Sequence, residues 1–414
     1  MIKTLSTILK QDKEKLAIPH SVQQAIPIRR VWPDGIFQAG NRFSMSFRFS
    51  DINYAVASKE DKLEMFLAYS ELLNALDSGA EIKITLNNRP IDKAKFEQTL
   101  LIPLQRNRLD AYRKEYNGML LDKMTSTSNG ILQERYITMS THKRSVEEAR
   151  AYFARVGTEI TTHLARLCSS AETLDCTSRL RLLRDFFRGG EPPLEEFDLK
   201  ASLRQGRSFK DWLCPDTMEF EPDCFKLGER WGRVLYLQTY ASYIKDSMVT
   251  ELCELSRGLM LSIDLLPVPM DEAVQEIQNK LLGVETNVAN WQRKQNAANN
   301  FSAVVPYDLE QQRKETKEFL DDLTTRDQRM MFGLITLVHL ADSKEQLDAD
   351  TESIIAVARK HLCQMAPLKW QQRDGLDTAL PYGVRRLNAL RTLTTESAAV
   401  LMPFRAQEIL QAGG

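Results

Sequence analysis

Residues 43–49 read FSMSFRF, with Phe43, Met45, Phe47 and Phe49 alternating with Ser44, Ser46 and Arg48. A period of two fits a strand with one buried face, because successive side chains of a strand point to opposite sides. Downstream the pattern changes period. Ser58 stands where an N-cap belongs, with Asp61 in the first turn. Leu63, Phe66, Leu67, Leu73 and Leu76 recur at helical spacing, and Gly79 marks the stop. The stretch AEIKITL returns to alternation, with Ile82, Ile84 and Leu86 on one side. A charged helix, RLDAYRKEYNGMLLDKM, leads to the strand ILQERYITM. Ser145 and Glu148 have capping-box spacing and open a helix whose inner face runs from Val146 to Leu167.

The second half repeats this rhythm. RVLYLQTY and LMLSIDL are strands, a long helix starts near Asp271, and another starts near Asp308. MMFGLITLVHLA is apolar on both faces, as a central strand would be, and Ser343 with Gln346 opens a further helix. The fold class expected is α+β: antiparallel sheets with helices packed on one face, arranged as two ferredoxin-like units. Residues 1–34, punctuated by Pro19, Pro27 and Pro33, read as an extended arm with little core. The run GGEPP at residues 189–193 is the best boundary, dividing a first subdomain (35–190) from a second (194–414).

Composition narrows the function classes. The 55 basic and 56 acidic groups of the 414 residues nearly cancel, so no overall field points to nucleic acid. The N-terminus lacks the apolar core of a signal peptide, and no apolar run is long enough to span a bilayer. A cytoplasmic chain, peripheral at the membrane, is expected. No two of the six cysteines have C-x-x-C spacing, and the five histidines form no metal-binding pattern, so neither a zinc site nor a disulfide framework is expected. A phosphate loop would need Gly-Lys-Ser/Thr, and the chain has no Gly-Lys dipeptide. No G-x-S-x-G occurs. Glu318, Asp321 and Asp322 have cation-binding spacing, but Arg313, Lys314, Lys317 and Arg326 share their helix, which favours a solvated, ion-paired face.

Two features remain as candidate partner contacts. Val274, Ile277, Leu281, Val284, Val288 and Trp291 are spaced three, four, three, four, three, as in a coiled-coil seam, and Leu309, Thr316, Leu320 and Leu323 follow on the next helix. Together they predict a helical hairpin near residues 271–325 with Asn296, Asn299 and Asn300 at its tip. Either it packs on its own sheet or it projects toward a partner; spacing alone allows both. The second feature is Arg181, Arg184 and Arg188, which share a helix face and could meet phosphates or acidic partners. Asp185 in the same run and the balanced total charge argue against DNA.

Several longer blocks carry a resemblance. They are FRFSDINYAVASKED, YASYIKDSMVTELCELSRG, DEAVQEIQNKLLGVETNVANWQRKQNAANNF, PYDLEQQRKETKEFLDDLTTRDQRMMF and LRTLTTESAAVLMPFRAQEI. The chain resembles the N-terminal region of conjugative type IV secretion ATPases, the VirB/TrbE/CagE class, as carried on integrative conjugative elements of Gram-positive bacteria. The resemblance implies a domain that docks on inner-membrane components of a conjugation channel and supports self-association. It also implies a RecA-like motor beyond the MPFRAQEI block, where ATP and magnesium would bind. The chain stops at that block, so no catalytic, cofactor or metal residue is carried over and this chain is not expected to hydrolyse ATP. The alternative is a free-standing protein that binds the channel and modulates an intact ATPase.

Overall fold

The computed structural model describes residues 19–405, apart from residues 55, 91–100, 126–130, 190–196, 242–244, 256 and 301–303. The first 18 residues of the expected arm, most of the Gly-Pro boundary and the closing AQEI block lie outside the described residues.

A short helical turn α1 (Val22–Ala25) and the strands β1 (Arg30–Val31) and β2 (Phe37–Ala39) lead into the first unit. That unit runs β3 (Arg42–Phe49), α2 (Lys59–Ala75), β4 (Ala80–Pro90), α3 (Asp110–Thr125), β5 (Ile131–His142), α4 (Val146–Arg166) and β6 (Ala171–Thr173). Helices α5 (Cys176–Arg188), α6 (Leu199–Arg204) and α7 (Phe209–Leu213) follow, then the hairpin β7 (Met218–Phe220) and β8 (Phe225–Leu227). The second unit runs β9 (Arg230–Thr239), α8 (Ser247–Cys253), β10 (Leu259–Pro267), α9 (Met270–Ala297), α10 (Tyr307–Thr325), β11 (Met330–Ala341), α11 (Lys344–Lys360) and β12 (Gln364–Pro367). Helix α12 (Gln372–Ala379), strand β13 (Arg391–Thr394) and the turn α13 (Thr395–Ala399) complete the described chain.

The sheet order resolves the rhythm of the sequence. In the first unit it is β6-β3-β5-β4, and in the second β12-β9-β11-β10, with every neighbouring pair antiparallel. Numbered within each unit, both orders are 4-1-3-2, the ferredoxin-like arrangement. The second strands of the two units then pair with each other: β4 meets β10 with Ile84 opposite Ile263 and Lys83 opposite Asp264. Among the described residues the 13 strands thus form one sheet, and the two halves share it rather than standing apart. Because β4 and β10 are antiparallel, equivalent connections leave the sheet from opposite ends. The connection between second and third strands carries α3 in one unit and the α9–α10 pair in the other.

One face of the sheet carries the larger apolar core. Phe43, Phe47, Ile82, Ile84, Ile137, Leu261, Ile263, Ile335 and Leu337 are buried there under α2, α4, α8 and α11. Each large apolar side chain fully removed from water contributes about 2 kcal/mol. A one-residue slip would turn this set onto the other face, so the register is strongly held. Ser58, Ser145 and Ser343 cap their helices as the sequence suggests. Only half of each expected box forms, however. The Glu148 carboxylate accepts from Arg144 N, one residue before the cap, and the Gln346 side chain turns to Asp350. The complete reciprocal box is Ser208 with Asp211.

Two expectations are corrected. Residues 19–34 are not a coreless arm: Ile26 and Ile28 are buried in the second apolar cluster, and Trp32 packs on Phe43 with ring centroids 5.9 Å apart. Nor is the second sheet face open, since α5, α7, α12 and the segment after it cover that face. Ser44, Ser46, Lys83, Thr85, Thr138, Ser262 and Asp264 are all buried there.

Candidate interaction site

Helices α9 and α10 pack on each other and form the expected hairpin. Prolines set both starts. Pro269 and Pro306 precede the first helical residues, and Asp271, Glu272, Asp308 and Glu310 place carboxylates where the helix dipole favours them. At its base the hairpin joins the sheet. Ala273, Ile277 and Leu323 share a cluster with Leu266, Val268, Met330 and Phe332. Farther out, Val284 and Val288 of α9 and Thr316 of α10 are buried between strongly exposed neighbours. Leu281 and Trp291, expected in the seam, are half-buried. At about 1.5 Å per residue the 28 residues of α9 run about 42 Å, much farther than its base anchor needs. The base of the hairpin thus packs on the sheet, while its outer turns pack chiefly helix on helix.

Its tip is polar and then apolar. Asn296, Asn299 and Asn300 are exposed. Asn299 takes a left-handed backbone (φ 57°), which Asn tolerates better than most side chains. Asn300 N donates to Gln295 O at 2.9 Å and closes the helix end, while the Asn300 amide donates to Gln295 Oε1 at 3.1 Å. Val304 and Tyr307, not singled out in the sequence, are 87% and 78% exposed beside this tip. Amide hydrogen-bonding groups, a phenol and a bare valine can recognise a surface; they include no nucleophile or general base.

The arginine face is used internally. Arg184 is buried, with its guanidinium 4.8 Å from the centroid of Trp212 and donating to the Trp212 carbonyl. Arg188 binds Asp216 at 3.2 Å, and neighbouring Asp185 meets Arg89 at 3.6 Å. Of the expected trio only Arg181 is fully on the surface. Trp212 lies 28 residues beyond Arg184, so the helical spacing gave no sign of it. Arg179 on the same helix is also buried. It donates to the carbonyls of Gly35, Ser44 and Pro381 at 2.8, 2.9 and 3.1 Å, and burial pulls its pKa down to about 9.

Beneath α12 lies a buried ionic layer. Lys83 pairs with Asp264 and also donates to the Thr378 carbonyl. Glu81 is held by Arg42 and, at 2.9 Å, by Arg385. Burial opposes ionisation of Glu81, but Arg42, Arg385 and Lys83 outweigh it and hold the carboxyl below its usual range. Burial pushes Asp264 up, with Lys83 acting against it. The chain after α12 is threaded across this layer. Ser262 Oγ donates to Ala379 O at 2.7 Å and Ser44 Oγ to Tyr382 O at 2.8 Å, while Gly383 passes so close that a Cβ would sit 2.4 Å from Ser44 Cβ. This is a clamp between the two units, closed to solvent.

Glu318 and Asp322 take part in the ion pairs expected on their helix, with Lys314 at 3.9 Å and Arg326 at 3.1 Å. Glu221, Asp223 and Cys224 come together at the β7–β8 turn, but the Lys344 ammonium lies 3.3 Å from Cys224 Sγ and 3.8 Å from Asp223. It supplies the positive charge there. No described helix is long and apolar enough to cross a membrane.

No protein-family model matches this chain, and no curated protein matches it either.

Proposed function

We propose that this chain is a docking and assembly domain of the kind that precedes the motor of conjugative type IV secretion ATPases, working by binding and not by nucleotide hydrolysis. The blocks quoted above support the family, and the hairpin is the observation that carries the docking role. Among the described residues, the outer seam positions Val284 and Val288 join none of the apolar clusters of the sheet. Its exposed amides, Val304 and Tyr307 suit a protein surface with matching donors, acceptors and an apolar pocket. In this reading the partner is an inner-membrane component of the conjugation channel. The chain is cytoplasmic and peripheral at the membrane, and self-association accompanies assembly.

The test replaces Asn296, Asn299 and Asn300 together by Asp and measures binding to purified channel components. The tip carries none of the core, so thermal stability should match the parent while binding falls at least about tenfold, the loss of about 1.4 kcal/mol. Unchanged binding would refute the hairpin as the docking arm.

A further inference from the structure

At the end of the sheet opposite the hairpin, β4 and β5 run on past their neighbours: β10 pairs β4 only as far as Asn88, while the β4–β5 ladder continues to Pro90 and Ile131. Residues 101–109 and helix α3 belong to the connection that leaves the sheet from that end. This unit is held by polar contacts. The Asn117 side chain accepts from Ile102 N at 3.0 Å and donates to Ile102 O at 2.9 Å. Asp110 accepts from Gln105 N and Asn107 N, and the Arg113 guanidinium binds Asn107, Asp110 and Gln105.

Because polar groups do the folding here, the apolar side chains are left outside. Ile102, Leu104, Leu109, Tyr112, Tyr116 and Met119 are exposed, from 39% for Ile102 to 70% for Tyr112, and Leu132 adds to them at the foot of β5. Leu109, Tyr112, Tyr116 and Met119 recur at three, four and three residues, one stripe along the helix. So many large apolar groups together on an ordered surface mark a docking site. The charge around them has a sign. Arg106, Arg108 and Lys114 are exposed and make no ion pair with a described residue, against one exposed carboxylate, Glu115, while Asp110 is already bound by Arg113.

We infer that this pole docks on an anionic lipid surface. The observations that choose lipid are the exposed apolar helix stripe, the two tyrosines and the surplus of cations beside them. That combination lets apolar groups enter the interface while the cations meet the headgroups. A second copy of the same face is disfavoured, since a two-fold contact would set one net positive patch against another. The inference deepens the peripheral membrane placement proposed above, and its observations are confined to this pole, apart from the hairpin.

The full chain is sedimented with phosphatidylglycerol vesicles and with phosphatidylcholine vesicles. The account predicts binding to the anionic vesicles at about 50 mM salt, strong weakening at about 0.5 M, and little binding to the neutral ones. Arg106→Glu with Arg108→Glu should weaken it by about 25-fold or more, taking about fivefold per lost cation. Leu109→Asp with Tyr112→Asp should weaken it at least tenfold with unchanged circular dichroism, because both side chains are solvent-exposed. Absence of anionic-vesicle binding, equal binding to neutral vesicles, or indifference to both double variants overturns the inference, and binding of an acidic protein without lipid does so as well. The Asn296, Asn299 and Asn300 variant should bind vesicles like the parent, so a failure of the hairpin reading is separable from a failure here.

Discussion

His339 offers a quantitative test of the packing in the second unit. It lies on β11, fully buried, with Nε2 3.1 Å from Thr351 Oγ1. Burial, then the nearby guanidinium groups of Arg233 and Arg257, lower its pKa to about 3. Those arginines are themselves tied to Asp223, Asp348 and Asp350, so they stay in place. The folded protein therefore keeps His339 neutral where the unfolded chain protonates it, below about pH 6.5. The stability this group contributes is complete above pH 6.5 and is lost as pH falls toward 3. At pH 5 the loss is about 1.5 units at about 1.4 kcal/mol each, or about 2 kcal/mol. Asp377, which burial pushes up to about 7, acts with the opposite sign: its favourable share is present at low pH and is lost as pH rises through 7. It is common to parent and variant and cancels in their difference. His339→Gln keeps a donor for Thr351 and cannot titrate. Urea unfolding of both proteins at pH 8 and pH 5 should show the variant gaining about 2 kcal/mol on the parent at the lower pH. A difference that is the same at both pH values would refute the claim that His339 is held neutral.

Three further outcomes follow from particular contacts. Lys83→Met strands the buried Asp264 carboxylate and should cost about 3–5 kcal/mol, while the double variant with Asp264→Asn recovers much of it; additive losses in urea would mean that the pair is not coupled. Gly383→Ala must adopt φ near 81° and press on Ser44, so a loss above about 2 kcal/mol is expected, with faster amide exchange over residues 382–387; parent-like stability would show that the strap is not held as described. Val288→Asp buries a charge between α9 and α10 only, and protease cutting within 270–325 should rise while the main thermal transition stays; loss of soluble expression would instead mean that the hairpin is part of the core.

Much of this fold is legible in the strands and caps. Alternation at Phe43–Phe49 and Ile82–Leu86, and the serines at 58, 145 and 343, place the strands and helix starts correctly. What alternation cannot say is whether the second face meets water. Lys83 and Thr85 look solvated in a period-of-two pattern, yet their cover comes from Thr378 and its neighbours, 295 residues on from Lys83. The same limit explains Arg184, whose partner Trp212 is set by tertiary packing. In the candidate site the asparagine tip was readable, because an Asn-rich break between two apolar seams has few other uses. Val304 and Tyr307 were not, since exposure of an apolar side chain is invisible until its neighbours are placed. Helix α3 shows the same limit: its sequence reads as charged, and the exposure of Tyr112 and Tyr116 on it emerges only once their neighbours are placed.

The central claim is that the hairpin tip touches a channel component. A photo-cross-linking residue at position 299, in cells that carry the conjugation apparatus, tests it most directly. The account predicts an adduct with an inner-membrane channel protein that is absent when the same residue is placed at exposed Arg207, outside the hairpin. No adduct at 299, or equal adducts at both positions, would contradict it.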